Sequence, residues 1–248
     1  RAMDKLVLDL RGNGGGLLIE AVKIVNMFVP KGSDVVAIKG RTGEENHEYT
    51  ALLKPEDLNI PLVVLVDGGS ASASEIVSGA LQDLDRAVIV GQTSFGKGLV
   101  QRPLDLKYNA KMKVTIAKYY TPSGRCIQKL DYSNREVGSH AAAVSDEFIK
   151  KFTTKNGREV IDGRGVEPDV VLELKEYSRL TATLVINNIL FDFATQYFLK
   201  HDKIVPAIEF RIDDATYSDF VAFALKQDFE YSTASGEMMK TLKETAEE

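Results

Sequence analysis

Pro61-Leu62-Val63-Val64-Leu65-Val66-Asp67-Gly68-Gly69-Ser70-Ala71-Ser72-Ala73-Ser74-Glu75 is the stretch that decides the fold. Leu62 to Val66 is an unbroken aliphatic run, rich in β-branched residues and bounded by turn formers, and it reads as a buried strand. Asp67-Gly68-Gly69 makes a turn. Beyond it Ala73, Ile76, Val77, Ala80 and Leu81 share one face at helical spacing, which predicts a helix over residues 70–84. Residues 87–91 return as a short strand. Strand, turn, helix and strand in this order make an α/β layer with a partly parallel sheet.

Working outward, residues 5–10 read as another buried strand, residues 11–16 as a glycine-rich turn, and residues 17–28 as an amphipathic helix stopped by Pro30. Strands are predicted over 35–39 and 47–53. Residues 99–106 and 111–120 form an antiparallel pair joined through 107–110. The polar stretch 130–165 reads as a long excursion with one short helix over 145–152, and Val170-Val171-Leu172 as a closing strand. After Glu176 the pattern turns helical. Leu180, Leu184, Ile186, Leu190, Phe193, Ala194, Tyr197 and Phe198 predict one long helix, followed by helices over 218–226 and 235–247. The expected organisation is an α/β core over residues 1–175 and a helical region over 176–248.

Composition excludes several function classes. The net charge of −5 argues against a nucleic-acid binder, and the absence of Trp leaves no stacking platform to propose. Cys126 is the only cysteine, so an internal disulfide and a four-cysteine zinc site are ruled out. His47, His140 and His201 lack metal-ligand spacing, and neither metal nor cofactor is predicted. No apolar run is long enough to span a membrane. The chain opens on Arg-Ala-Met-Asp and enters a strand at once, as expected of a piece cut from a longer protein.

Three segments carry chemistry. Ser72 sits where a strand hands over to a helix, facing the free N–H groups of a helix start, which can hold an oxyanion. A serine there serves as a nucleophile if a base takes its proton, or simply as a cap. Lys97, in Phe95-Gly96-Lys97-Gly98, is a candidate base: held in an apolar setting it loses solvation and its pKa falls. The bland alternative is a solvated turn lysine. The same segment resembles a phosphate loop but has Gly98 in place of the hydroxyl residue and a strand in place of the helix, so nucleotide binding is not expected. Finally, Asp9-Leu10-Arg11-Gly12-Asn13-Gly14-Gly15-Gly16 either caps a helix or brings backbone N–H groups up to a substrate carbonyl.

Together these segments resemble the carboxy-terminal processing peptidases, also called tail-specific proteases. The likeness covers roughly residues 4–175. It rests on L-V-L-D-L-R-G-N-G-G-G (6–16), G-S-A-S-A-S-E (69–75), F-G-K-G-x-V-Q (95–101), Y-Y-T-P-S-G (119–124) and G-V-E-P-D (165–169), in that order. The resemblance implies Ser72 as nucleophile, Lys97 as base and Gln101 as the residue that orients the lysine; on a strand, Lys97 and Gln101 share a face. It implies oxyanion donors at Gly15 or Gly16 and at Ala73. It further implies a crotonase-like (Clp-protease-like) α/β core with a mixed sheet, flanking helices and a C-terminal helical segment. The activity implied is cleavage of protein substrates near their C-termini without ATP, nucleotide or metal, in an exported, periplasmic or envelope-associated bacterial enzyme.

The family's PDZ module, expected before residue 6, is absent from this sequence, and Asp67-Gly68 stand where the family often has Asn. The helical segment is expected to mediate dimerisation or to cover the core. Cys126 is expected as a buried or half-buried free thiol, and Glu75 as a first-turn acid favoured by the helix dipole. The competing reading is a non-catalytic peptide-binding or scaffold protein on the same core.

Overall fold

The computed structural model describes residues 3–132, 141–173, 177–201, 203–227, 229, 231 and 233–247. The chain divides into two compact units, Arg1–Glu173 and Leu174–Glu248.

The first unit is a mixed α/β fold. Its elements are β1 (Leu6–Asp9), α1 (Leu18–Asn26), β2 (Asp34–Gly40), β3 (His47–Thr50), β4 (Leu62–Val66), α2 (Ala73–Asp83), β5 (Val88–Gly91), β6 (Leu99–Asp105), β7 (Lys111–Tyr120), β8 (Leu130–Asp131), β9 (Ala142–Ala143), β10 (Lys151–Thr153), β11 (Glu159–Ile161) and β12 (Val170–Val171). In place of one mixed sheet there are, among the described residues, two four-stranded sheets, each of a single kind, and two short antiparallel pairs, β8-β9 and β10-β11. A parallel sheet has the order β1-β4-β5-β12, and an antiparallel sheet has the order β3-β2-β7-β6. Leu62, Val64 and Val66 of β4 are buried, and they join Ala21, Val22 and Val25 of α1 and Ile76, Val77, Ala80 and Leu81 of α2 in one core. Each of the Leu, Val and Ile side chains among them contributes about 2 kcal/mol on burial. The register runs from Leu6 opposite Leu62 to Asp9 opposite Leu65, and Val66 lies opposite Gly91. Strands β1, β4 and β5 therefore end side by side.

Two expectations fail in the polar excursion and the helical region. Residues 145–152 form no α-helix: a 3₁₀ turn at Asp146–Phe148 leads into the β10–β11 hairpin. Thr154 to Arg158 close that hairpin, with Gly157 at φ 86°. The Asn156-Gly157 pair is the sequence signal for such a turn.

In the second unit the expected long helix is two, α3 (Arg179–Ile186) and α4 (Ile189–Lys200). Asn188 adopts the left-handed conformation (φ 58°) between them, a role short polar side chains tolerate. Helices α5 (Asp214–Ala224) and α6 (Ala234–Glu247) follow, α5 capped by the Asp213 carboxylate, which accepts the Thr216 N–H at 2.8 Å. Leu184, Ile189 and Ala224 form a small core of their own. Among the described residues no helix is long and apolar enough to cross a membrane.

Candidate active site

Three loops leave the carboxyl ends of adjacent parallel strands: residues 10–17 after β1, 67–72 after β4 and 92–98 after β5. Loops at that edge of an open parallel sheet converge, and ligands bind there. Two carboxylates and a few backbone bonds hold these three together.

Asp67 joins the first loop to the second. Its Oδ1 accepts the Gly12 N–H at 2.8 Å and the Gly69 N–H at 2.9 Å. Burial opposes the charge, but these amides and Ser70 outweigh it and hold the carboxyl below its usual value. Around it, the Ser70 hydroxyl donates to Leu10 O at 2.7 Å, and Asn13 O accepts the Ala71 N–H and the Ser74 hydroxyl, both at 3.0 Å. The Asp67 carboxylate is thus an anchor between the glycine-rich loop and the Ser72 turn. The contact is close enough to require glycine at residue 15. Its φ is 96°, and a Cβ there would stand 2.5 Å from Ala71 O and 2.8 Å from Ala73 N.

Glu75 joins the second loop to the third. It is fully buried, and its two oxygens accept four donors. Oε2 takes the Ser72 N–H at 2.9 Å and the Lys97 N–H at 2.8 Å. Oε1 takes the Ser94 hydroxyl at 2.5 Å and the Gly96 N–H at 2.7 Å. Ser94 Oγ in turn accepts the Val166 N–H at 2.8 Å. Desolvation pushes the Glu75 carboxyl above its ordinary value, against the pull of its four hydrogen bonds. Glu75 is also the expected first-turn acid, at the third position of α2. No cation pairs with it in the described residues; it clamps the backbones of Ser72 and Lys97 to one point.

Ser72 itself has φ 57° and ψ −114°, a conformation that L-residues rarely adopt and that costs on the order of 1–3 kcal/mol. The strain is tolerated because the turn is fixed on both sides: Glu75 and Ile76 N–H groups donate to Ser72 O at 2.9 and 3.0 Å, and Asp67 and Asn13 hold what precedes it. The Ser72 side chain is half-buried.

The three backbone donors expected for an oxyanion divide. Gly15 N–H is already engaged by Asn13 Oδ1 at 2.9 Å, whereas those of Gly16 and Ala73 donate to nothing among the described residues. Gly15, Gly16 and Ala73 line one small pocket of about 150 Å³, whose walls include Leu17, Ile24 and Val77.

Two expectations about the base are corrected. Lys97 has an exposed side chain, so the desolvation expected from its sequence setting is not in place. Nor do Lys97 and Gln101 lie on one strand. Lys97 belongs to the irregular segment before β6, and the β6–β7 ladder slips between Val100 and Gln101. The Gln101 amide donates instead to Thr115 Oγ1 at 3.4 Å and lines a separate cavity of about 760 Å³ with Thr115, Lys118 and Cys126. The structure thus gathers Ser72, Lys97 (by its backbone), Gly16 and Ala73, and leaves Gln101 to one side. Cys126 is a half-buried free thiol, pushed up by burial.

Known proteins share this arrangement of segments. The model described as "Peptidase family S41" matches residues 1–133. The chain belongs to that peptidase family. A second model, described as "Probable PDZ-protease, C-terminal helical domain", matches residues 180–248. The carboxy-terminal-processing protease of Bartonella bacilliformis is 49% identical over 128 residues, which are 50% of this chain and 29% of that protein. The chloroplastic C-terminal processing peptidase of Tetradesmus obliquus is 45% identical over 128 residues, 52% of this chain and 27% of that protein. The solved photosystem II D1 C-terminal processing protease superposes with a TM-score of 0.51 at 36% identity, covering 69% of this chain and 35% of that one. The stretches matched in the two curated relatives are thus under a third of their length.

In this member of the peptidase family the remaining motifs serve the scaffold. The turn Thr121-Pro122-Ser123-Gly124 docks on the end of α2 through the Ser123 N–H and Asp83 Oδ2 (3.0 Å), and Arg125 lies 2.9 Å from Asp83 Oδ1 with both side chains buried. That ion pair is close but not aligned as a hydrogen bond; the Arg125 guanidinium bonds Gln82 Oε1 at 2.7 Å instead. Asp169 accepts the Ile89 N–H at 2.8 Å and so pins β12 beside β5.

Proposed function

We propose that this chain carries the catalytic unit of a serine endopeptidase that cleaves protein substrates near their C-termini. Residues 1–175 form its core, crotonase-like in arrangement, and residues 176–248 its helical region. The observation that carries the reading is the shared hold of Glu75 Oε2 on the Ser72 and Lys97 amides, 2.9 and 2.8 Å away. The bond to the Ser72 amide closes the capping box of α2, but a cap has no need of the Lys97 amide from another loop; a nucleophile and its base need a common anchor.

In the proposed reaction Ser72 Oγ attacks the scissile carbonyl carbon as its proton passes to the Lys97 amine. The carbonyl oxygen becomes an oxyanion and takes hydrogen bonds from the Ala73 and Gly16 N–H groups. The intermediate collapses with the proton returned from Lys97 to the leaving amine, and an acyl group remains on Ser72. Water, deprotonated by Lys97, releases the new C-terminus and restores the serine. For this the amine must be neutral. Because Lys97 is exposed, the bound peptide has to supply the missing cover, and with it the desolvation that favours the neutral form. By the same family resemblance the protein acts outside the cytoplasm, in the periplasm or at the envelope; apart from that resemblance, its C-terminal helices are the segment proposed to join copies of the chain or to cover the core.

The exposure of Lys97 also favours a second reading, a peptide-binding protein that does not cleave. Ser72→Ala in the complete protein separates the two. Under the peptidase reading, hydrolysis of a peptide with a free C-terminus is abolished while peptide binding persists. Undiminished hydrolysis refutes the reading, and an unmodified protein that binds such peptides without ever cleaving them supports the second.

A further inference from the structure

Two apolar surfaces of the helical unit lie open among the described residues. The first is a groove of about 780 Å³ between α4, the segment 204–212 and the first half of α5. Phe193, Tyr197, Phe198, Ile204, Phe210 and Tyr217 line it. Aromatic pairs brace its walls: Phe193 meets Phe220 edge-on with ring centres 5.2 Å apart, and Tyr197 meets Phe210 at 5.8 Å. Yet Phe198 and Tyr217 are more than half exposed. The second surface is on α6. Met238, Met239 and Leu242 share one face at helical spacing, and Glu237, Lys240, Lys243 and Glu244 take the other side. Every side chain of residues 235–245 is exposed, those three apolar ones by 74, 74 and 75%. A 14-residue helix is marginal in water by itself and takes its stability from packing an apolar face. The apolar face of α6 therefore calls for a cover that its own unit, in the described residues, does not supply. To fill its own groove, α6 would have to give up two holds. Phe229 packs against the small core of Leu184, Ile189 and Ala224, and Glu237 lies 3.6 Å from Arg179 at the start of α3. Both keep the entry to α6 beside α3, whereas no residue of α3 or α6 lines the groove.

We propose that a second copy of this chain fills the groove: each protomer lays the Met238, Met239 and Leu242 face of α6 into the α4–α5 groove of its partner. Helix and groove are complements carried on one chain, so a two-fold exchange covers both at once and closes on itself. A stable interface buries about 1,600 Å² in total, and the exchange makes the same contact twice over. Methionine suits such a seat, because its flexible thioether fills irregular gaps and packs well against ring edges. Lys240 and Lys243 stay in solvent on the far side of the helix. The proposal rests on the reading in which the C-terminal helices join copies of the chain; the Ser72–Lys97 chemistry is independent of it.

Sedimentation of the complete protein over a concentration series should show a dimer. Leu242→Asp in α6 and Phe198→Asp in the groove each change an exposed side chain. Each should weaken the dimer at least about hundredfold, because both contacts of the pair would then bury an unpaired carboxylate. Mixed together, the two variants should associate more tightly than either does alone, since the intact α6 of one meets the intact groove of the other. A monomeric complete protein overturns both the joining of copies and this proposal. A dimer that neither substitution weakens overturns the proposal alone, because the copies are then joined elsewhere. Should an Asp variant fail to fold, a cysteine pair decides. With Cys126→Ser removing the native thiol, Leu242→Cys and Phe198→Cys in one chain should give disulfide-linked dimers on oxidation. A monomer closed by an internal disulfide would put α6 in its own groove and overturn the proposal.

Discussion

Replacing Glu75 by Gln and by Ala should give graded losses whose size follows from its four donors. The carboxylate accepts from Ser94 and Gly96 at one oxygen and from Ser72 and Lys97 at the other. A glutamine has one acceptor and one NH₂ group, so one pair must be lost. The cheaper orientation turns the NH₂ toward Ser94 and Gly96. The Ser94 hydroxyl can rotate and accept from it, which leaves the Gly96 N–H unpaired in the interior. A lost hydrogen bond to a charged group costs about 1.5–3 kcal/mol. Some of this is offset because a buried charge is removed, as the raised pKa of Glu75 indicates. The net expectation for Glu75→Gln is about 2 kcal/mol in stability, with the Ser72 and Lys97 amides still held. Glu75→Ala strips all four donors of their acceptor and should cost about 4 kcal/mol or more. It also frees the strained Ser72 turn from the Lys97 segment; a misplacement of about 1 Å costs on the order of a hundredfold in rate. Urea unfolding reads the stability and fluorophosphonate labelling of Ser72 reads the site. Equal behaviour of Gln and Ala, or a Gln variant with wild-type stability and labelling, would refute the four-donor clamp.

Other consequences can be checked in the same protein. Because desolvation raises the folded pKa of Glu75, the fold takes up that proton before the unfolded chain does. As pH falls from that raised value toward the usual carboxylate range, the clamp loses an acceptor while this group adds no acid destabilisation. Activity should therefore drop at a higher pH than the melting temperature does; parallel loss of both would contradict this. Gly15→Ala places a Cβ against Ala71 O and Ala73 N in a left-handed backbone and should lower kcat at least about tenfold with a smaller effect on KM. Asp67→Ala removes the bridge to Gly12 and Gly69 and should cost about 2 kcal/mol by urea unfolding, whereas Asp67→Asn, which keeps an acceptor, should cost less than half of that.

The strand-to-helix turn was legible because its residues carry local signals: an aliphatic run of strand length, a glycine turn and an apolar face at helical spacing. The three loops meet because β1, β4 and β5 run parallel, which sequence order suggests. The Glu75 clamp was not legible, since its acceptors are matched by backbone donors of a loop some twenty residues on, and a first-turn glutamate looks the same whether it is solvated or buried. The exposure of Lys97 was equally hidden: glycine and aromatic neighbours in sequence say nothing of which side chains cover an amine in space. The slip at Val100/Gln101 breaks the period-2 rule that put Gln101 beside Lys97. In contrast, the hairpin at 151–161 had a signal, Asn156-Gly157, that was passed over within a polar excursion, and the break at Asn188 had one, Asn187-Asn188, that helical periodicity overshadowed.

The pairing of a serine with a lysine is tested most directly by catching the intermediate. A peptide substrate mixed with the complete protein and quenched in acid within a turnover should leave an acyl group, which peptide mass mapping places on Ser72, and the adduct should be missing from Lys97→Ala. An acyl group on another residue, or product formed by Lys97→Ala at the unmodified rate, would contradict the account.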